Sequence, residues 1–188
     1  MQEGILFVIS GPSGSGKTTL VKQLLSGVRG LRYSISYTTR KPRPGERDGV
    51  DYKFINERHF EEMIANGEFA EWANVYGNLY GTPLSEIEIF LKHGSDLILE
   101  VDEQGVGSIK KRYGKGVYIF IAPPSLNTQT ERLRRRKAGK DDRLDVRLKR
   151  FNEEMENRES YDYIIVNDDL DEAVEALEGI VIAERKKR

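Results

Sequence analysis

The chain has 188 residues, a net charge of −1, 38% hydrophobic and 32% charged residues, and no cysteine. That length suits one α/β domain with insertions, and the missing thiols exclude disulfides, thiolate metal sites and thiol catalysis. No apolar run approaches the about 20 residues of a membrane span, and the N-terminal apolar block is too short and lacks a basic lead, so no signal peptide and a cytoplasmic location are expected. His59 and His93 are the only histidines and lie in unrelated segments. A histidine-based zinc site or a Ser-His-Asp triad is therefore not expected.

The predicted elements begin with Ile5-Leu6-Phe7-Val8-Ile9, an apolar run of strand length, followed after a glycine-rich stretch by Leu20, Val21, Leu24 and Leu25 at helical spacing. From Tyr33 to Thr39 the chain alternates as a strand does, and Pro42, Pro44, Gly45 and Gly49 then give strand-and-turn composition. Apolar runs return at Asp96–Asp102, Gly116–Ile121 and Tyr163–Val166. Such runs, separated by helical patterns, predict a parallel sheet covered on both faces. Beyond Pro123-Pro124 the chain turns basic, with ten Lys/Arg against three Asp between Arg132 and Arg150. Leu144, Leu148, Phe151 and Met155 form an apolar helical stripe there. Leu170, Ala173, Val174, Leu177 and Val181 form the stripe of a last helix, and Asp169 with Glu172 suits its N-terminus.

The stretch Gly11-Pro12-Ser13-Gly14-Ser15-Gly16-Lys17-Thr18 matches the phosphate-binding loop pattern G-x-x-x-x-G-K-[ST]. It lies between a predicted buried strand and a predicted helix, the context the pattern requires. Glycines let the backbone wrap close to phosphate oxygens, and the helix N-terminus adds its positive end. Lys17 is expected to hold β- and γ-phosphates and the Thr18 hydroxyl to ligate Mg²⁺. The run ending at Glu100 and Asp102 places carboxylates at a strand end, where they help position metal or substrate or are simply solvated. Between the phosphate-loop pattern and that strand, Arg40, Arg43 and Tyr52 flank a proline-rich turn. Arginine forks bind phosphate bidentately and a tyrosine hydroxyl adds a donor, so this set suits a monophosphate clamp.

The segment Ser34–Phe54 resembles the nucleotide-monophosphate site of the guanylate kinase family. So do Glu71-Trp72-Ala73-Asn74-Val75-Tyr76-Gly77-Asn78-Leu79-Tyr80-Gly81-Thr82, Asp102-Glu103-Gln104-Gly105, Ile121-Ala122-Pro123-Pro124-Ser125 and Ile165-Val166-Asn167-Asp168-Asp169-Leu170. The resemblance covers nearly the whole chain, in order. It implies a P-loop NTPase-type parallel sheet flanked by helices, with an inserted β-rich GMP-binding region and a helical lid. On that pattern 1–188 is a single domain. Its core is about 1–32, 91–124 and 156–188, its GMP-binding insertion about 33–90 and its lid about 125–155. The implied reaction is transfer of the γ-phosphoryl group of Mg-ATP to GMP, in purine nucleotide metabolism.

Carried over by matching positions, Arg40, Arg43, Tyr52 and Tyr80 would hold the GMP phosphate, and Ser36, Glu71, Thr82 and Asp102 would read guanine. ATP would lie on Gly11, Pro12, Ser13, Gly14, Ser15, Gly16, Lys17, Thr18 and Thr19, with its adenine near the Asn167-Asp168 turn. Arg132, Arg136 and Arg147 align with the phosphate-binding arginines of the lid and would join Lys17 in catalysis. The family usually has glycine after the second of these arginines, where this chain has Lys137. The acceptor phosphate is already a nucleophile, so no general base is required. Closure of insertion and lid on the core would exclude water.

Three other readings are weighed. A scaffold-type phosphopeptide-binding module typically loses the phosphate loop, which is complete here. A kinase of related fold for a ribose bisphosphate has no need of the guanine-reading set. An RNA-binding protein would carry aromatic residues for base stacking, and none lies between Arg132 and Arg150. No nucleic-acid or membrane partner is therefore expected. Monomer and homo-oligomer are both compatible with the sequence.

Overall fold

The computed structural model describes residues 2–136 and 151–188. Its contacts divide the chain into two compact units, one of Met1–Leu6 with Gly30–Gly116 and one of Phe7–Arg29 with Val117–Arg188.

The second unit carries three parallel strands. In it β1 (Leu6–Ser10, all but its first residue) pairs with β8 (Val117–Ala122) from Phe7↔Val117 to Ser10↔Phe120. On the other side of β8 lies β9 (Tyr163–Val166), from Ile119↔Tyr163 to Ala122↔Val166. Every residue of β1 and β8 is buried. Unbroken apolar runs without alternation are what strands covered on both faces require. Helix α1 (Lys17–Gly27) buries Leu20, Val21 and Leu24, and α6 (Leu170–Lys187) packs against it through Ala173, Leu177 and Val181. The Asp169 carboxylate caps α6 by accepting the N–H groups of Asp171 and Glu172, as its position predicts. Between β8 and β9 stand α5 (Leu126–Arg136), a helical stretch at 151–156 and a 3₁₀ turn at Asn157–Ser160. The predicted stripe positions Leu144 and Leu148 lie outside the described residues, whereas Phe151 is buried.

The other unit pairs β2 (Leu31–Tyr33) in parallel with β7 (Asp96–Glu100). It also holds a four-stranded sheet in the order β4-β3-β6-β5, with β3 at Tyr37–Thr38, β4 at Lys53–Phe54, β5 at Phe69–Val75 and β6 at Asn78–Pro83. The inserted region is thus β-rich, as expected, but it also contains helices α2 (Glu57–Ala65) and α3 (Leu84–Lys92). Helix α2 starts at Asn56, whose carboxamide oxygen accepts the His59 N–H, and it buries Phe60 and Met63 against Phe69. The rings of Phe60 and Phe69 stack at 4.5 Å, which gives this sheet a small core of its own.

Two local expectations shift. The strand expected over Asp96–Asp102 stops at Glu100, because Asp102 is spent as the N-cap of α4 (Glu103–Tyr113). The alternation after Tyr33 is real, but the small polar residues Ser34, Ser36 and Thr38 face inward. Ser34 Oγ donates to Glu86 Oε2 at 2.9 Å and Thr38 Oγ1 to the Leu79 carbonyl at 2.9 Å, so their burial leaves those groups paired.

Candidate active site

The phosphate loop forms where β1 ends and α1 begins. Gly11, Gly14 and Gly16 have φ of 137°, 89° and 94°. Lys17 opens the helix, and its ammonium donates to the carbonyls of Gly11 at 2.6 Å and Pro12 at 3.0 Å. The first turn of α1 has no acidic residue, so its leading N–H groups and Lys17 together make an anion-seeking end. Thr18 follows in the same turn, and Thr19 is exposed.

Three residues outside the loop touch it or its neighbours. Asn167, 5% exposed, donates its carboxamide N–H to the Ser15 carbonyl at 2.7 Å, and its main-chain N–H to Ala122 at 2.8 Å. The contact expected of the Asn167-Asp168 turn with adenine runs through backbone groups, and the Asn167 side chain holds the loop. Asp168 beside it is exposed. Arg132 donates from Nη2 to the Asn167 carbonyl at 3.1 Å, while its buried Nη1 makes no hydrogen bond among the described residues. Gln129, not foreseen from the sequence, donates from Nε2 to the Ser13 carbonyl at 2.9 Å. Arg136 ends α5, and Arg147 lies outside the described residues.

In the other unit the expected phosphate clamp gathers on the four-stranded sheet. Arg40 Nε donates to the Tyr80 hydroxyl at 3.1 Å, and its guanidinium lies 5.2 Å from the Tyr52 ring centre. Tyr52 and Tyr80 meet edge to face at 5.9 Å. A residue the sequence reading missed, Glu46, binds the Arg40 fork bidentately at 2.8 and 3.0 Å and accepts the Arg43 main-chain N–H at 2.7 Å. The signal for it was local: Glu46 follows Arg43 by one tight turn. Burial works against the Glu46 charge, but the hydrogen bonds from Arg40 and the Arg43 N–H outweigh it and hold the carboxyl below its ordinary value. Glu46 is therefore ionised at neutral pH and supplies the counter-charge of the clamp. Arg43 itself is half exposed. Burial, and then the charge of Glu100, push the Tyr52 hydroxyl up, so it stays protonated and available as a donor.

The expected base-reading set lies in the same unit. Cross-strand pairing of β5 with β6 sets Glu71 opposite Thr82, and Thr82 Oγ1 donates to Glu71 Oε1 at 2.6 Å. Glu71 is 8% exposed. Burial raises its pKa to about 7, the Thr82 hydrogen bond opposing and the Asp102 charge reinforcing that shift. Asp102 Oδ1 accepts the Gly105 N–H at 2.9 Å as the cap of α4. A Cβ on Gly105 would stand 2.7 Å from Glu71 Oε2, so the carboxylate reaches the first turn of α4 only because position 105 is glycine. Ser36 is buried, and its carbonyl accepts the Lys53 N–H at 2.9 Å. The structure thus joins Glu71 with Thr82 and Asp102, and Arg40 with Tyr52 and Tyr80.

A glycine-rich loop between a buried parallel strand and a helix that opens on Lys-Thr, within an α/β layering, defines a P-loop NTPase fold. The sequence profile of the guanylate kinase family matches residues 3–184. A guanylate kinase of Carboxydothermus hydrogenoformans is 49% identical over 187 residues, covering 100% of this chain and 92% of the relative. One of Geobacter metallireducens is 49% identical over 184 residues, covering 98% and 91%. A crystal structure of guanylate kinase from Anaplasma phagocytophilum superposes with a TM-score of 0.80 at 35% identity, covering 98% of this chain and 87% of that one. The chain belongs to the guanylate kinase family.

Proposed function

We infer that this chain transfers the γ-phosphoryl group of ATP to GMP, giving ADP and GDP, as a cytoplasmic enzyme of purine nucleotide metabolism. The observation that carries the choice of acceptor is the buried Glu71 carboxylate, anchored by Thr82. Guanine offers N1–H and an exocyclic amino group side by side, and one carboxylate accepts from both. Adenine has no such donor pair and would leave Glu71 buried with the Thr82 hydroxyl but without the two donors of the base, which can cost a factor of ~10⁴ in selectivity. Within the family pattern, the core is about 1–32, 91–124 and 156–188, the GMP region about 33–90 and the lid about 125–155.

Gly11 to Thr19 are assigned to the ATP phosphates, with Lys17 neutralising charge on the transferring group. Arg40, Arg43, Tyr52 and Tyr80 are assigned to the GMP phosphate, and Ser36, Glu71, Thr82 and Asp102 to the base. Arg132, Arg136 and Arg147 complete the charge neutralisation, and the Asn167-Asp168 turn borders the adenine. Among the described residues no cluster of three or more acidic, histidine or cysteine side chains could hold a metal. The Thr18 hydroxyl, beside Lys17 in the first turn of α1, fits an ion that arrives on the nucleotide's phosphates, so Thr18 would hold Mg²⁺, which neutralises phosphate charge when bound. For Arg40 to fork onto the GMP phosphate it must exchange its bidentate bond to Glu46, one anion replacing another. No proton needs to be abstracted, because the acceptor is a phosphate dianion. Catalysis rests on in-line positioning and charge neutralisation.

The assay that tests the reading is ADP formation from Mg-ATP with GMP, AMP, UMP or CMP in turn. Activity confined to GMP is expected, and equal use of AMP would defeat the assignment of Glu71.

The Glu71 pKa of about 7 gives this site a pH dependence. Below that pH the carboxyl carries a proton and cannot accept from both guanine donors. GMP affinity is therefore expected to rise with pH up to about 7 and level off above it, with up to about tenfold lost per unit on the acid side. The GMP phosphate also gains a proton near pH ~6 in any variant, so the readout is the difference between the parent and Glu71→Gln in calorimetric titrations. Parallel pH profiles for the two would refute it. Gly105→Ala is expected to push Glu71 off its position at an overpacking cost of about 1–3 kcal/mol, weakening GMP binding roughly tenfold and sparing ATP. Equal GMP affinity in that variant would show that the carboxylate has room to adjust.

A further inference from the structure

Of the peptide units of the phosphate loop that lead into glycines of positive φ, Ser13–Gly14 and Ser15–Gly16 lie within its turn, with φ of 89° at Gly14 and 94° at Gly16. Each has its carbonyl held by a buried side-chain amide. Gln129, 1% exposed, donates to Ser13 at 2.9 Å, and Asn167 donates to Ser15 at 2.7 Å. No peptide bond among the described residues is cis. In a planar trans peptide the N–H points opposite to the C=O. Holding the Ser13 and Ser15 carbonyls outward therefore turns the Gly14 and Gly16 N–H groups toward the inside of the loop. The fit at the second amide is close, since a Cβ on Gly16 would stand 2.2 Å from Asn167 Nδ2. Arg132 stands one helical turn after Gln129 on α5 and binds the carbonyl of Asn167, so one face of this helix supports both amides.

We propose that Gln129 is a positioning residue for ATP: with Asn167 it locks the orientation of the loop peptides so that the Gly14 and Gly16 N–H groups are set for phosphate before the nucleotide arrives. Gln129 touches no substrate and acts through the loop. The inference rests on the reading that this loop binds the phosphates of ATP. It adds a requirement on α5 that the loop sequence does not contain.

The test is Gln129→Leu, which keeps the size and removes the donor. Gln129 Oε1 is buried without a hydrogen-bond partner among the described residues, so losing the amide also removes an unsatisfied acceptor. Thermal stability is expected to hold. The Kd for Mg-ATP, measured by titration calorimetry, is expected to rise about five- to tenfold, the cost of one oriented hydrogen bond. KM for ATP should rise with it, while the Kd for GMP stays at the parent value. Gln129→Met serves if the leucine variant does not fold. Unchanged ATP affinity in either variant overturns the proposal, as does an equal loss for ATP and GMP, which would mark a general structural role. A parent chain that fails to bind Mg-ATP overturns the functional reading and this proposal together, whereas a parent that binds it normally beside an equally competent Gln129→Leu overturns the proposal alone.

Discussion

Lys17→Ala is expected to lower kcat for Mg-ATP and GMP by on the order of 10³, the scale at which a single charged group aimed at a transferring phosphoryl is felt. The ammonium stands at the start of α1, held by the carbonyls of Gly11 and Pro12. Those two bonds keep the charge at the mouth of the loop, where triphosphate oxygens would compete for it. Alanine leaves the helix intact, because the side chain is only partly buried and alanine is the best helix former. The loss should therefore appear in turnover, with the melting temperature moving by a few degrees at most. Lys17→Arg is not expected to restore activity, since a planar fork cannot occupy the place of a compact ammonium. The check is steady-state ADP formation beside a thermal melt, and turnover within a few-fold of the parent would refute the role given to Lys17.

Glu71→Gln is expected to cost on the order of 10³ in kcat/KM for GMP, with KM for ATP unchanged. The amide can keep its oxygen toward Thr82 Oγ1, but it then turns its NH₂ group toward two guanine donors. Turned the other way it presents one acceptor to guanine and loses the Thr82 hydroxyl. Either orientation leaves a buried donor unpaired, in a site where the carboxylate is 8% exposed. Because glutamine is nearly isosteric, the effect isolates hydrogen bonding from packing. The measurement is kcat/KM for GMP at a pH well above the Glu71 pKa of about 7, where the parent carboxylate is fully ionised. Parent-like use of GMP by the variant would remove Glu71 from base recognition.

Parts of this architecture were legible in the sequence for reasons that are now visible. Strands β1 and β8 read clearly because both of their faces are covered, which forces an unbroken apolar run. The phosphate loop read clearly because its glycines and Lys17 follow from backbone geometry and charge alone. Asp169 was recognised as a cap because a cap is a local hydrogen bond. Features that depend on distant partners were hidden. Ser34 is buried because Glu86, 52 residues on, receives its hydroxyl. Gln129 stands in a helix whose other residues mark it as a solvated basic face, and its role comes from a carbonyl 116 residues earlier. Glu46 was overlooked because a glutamate in a charged, proline-rich turn reads as surface, whereas it fills the fork of Arg40. Asp102, expected to serve guanine, caps α4, a role that the Asp-x-x-Gly spacing announces only once a helix is known to start there.

In the reaction assigned to this chain, the γ-phosphoryl of ATP passes to the phosphate of GMP. That transfer is tested most directly by incubating the full chain with Mg-ATP labelled at the γ-phosphorus and GMP, and following where the label goes. Label is expected in the β-phosphate of GDP, with ADP formed in equal amount and little inorganic phosphate. Label released as inorganic phosphate, or retained in ATP while GMP is unchanged, would contradict it.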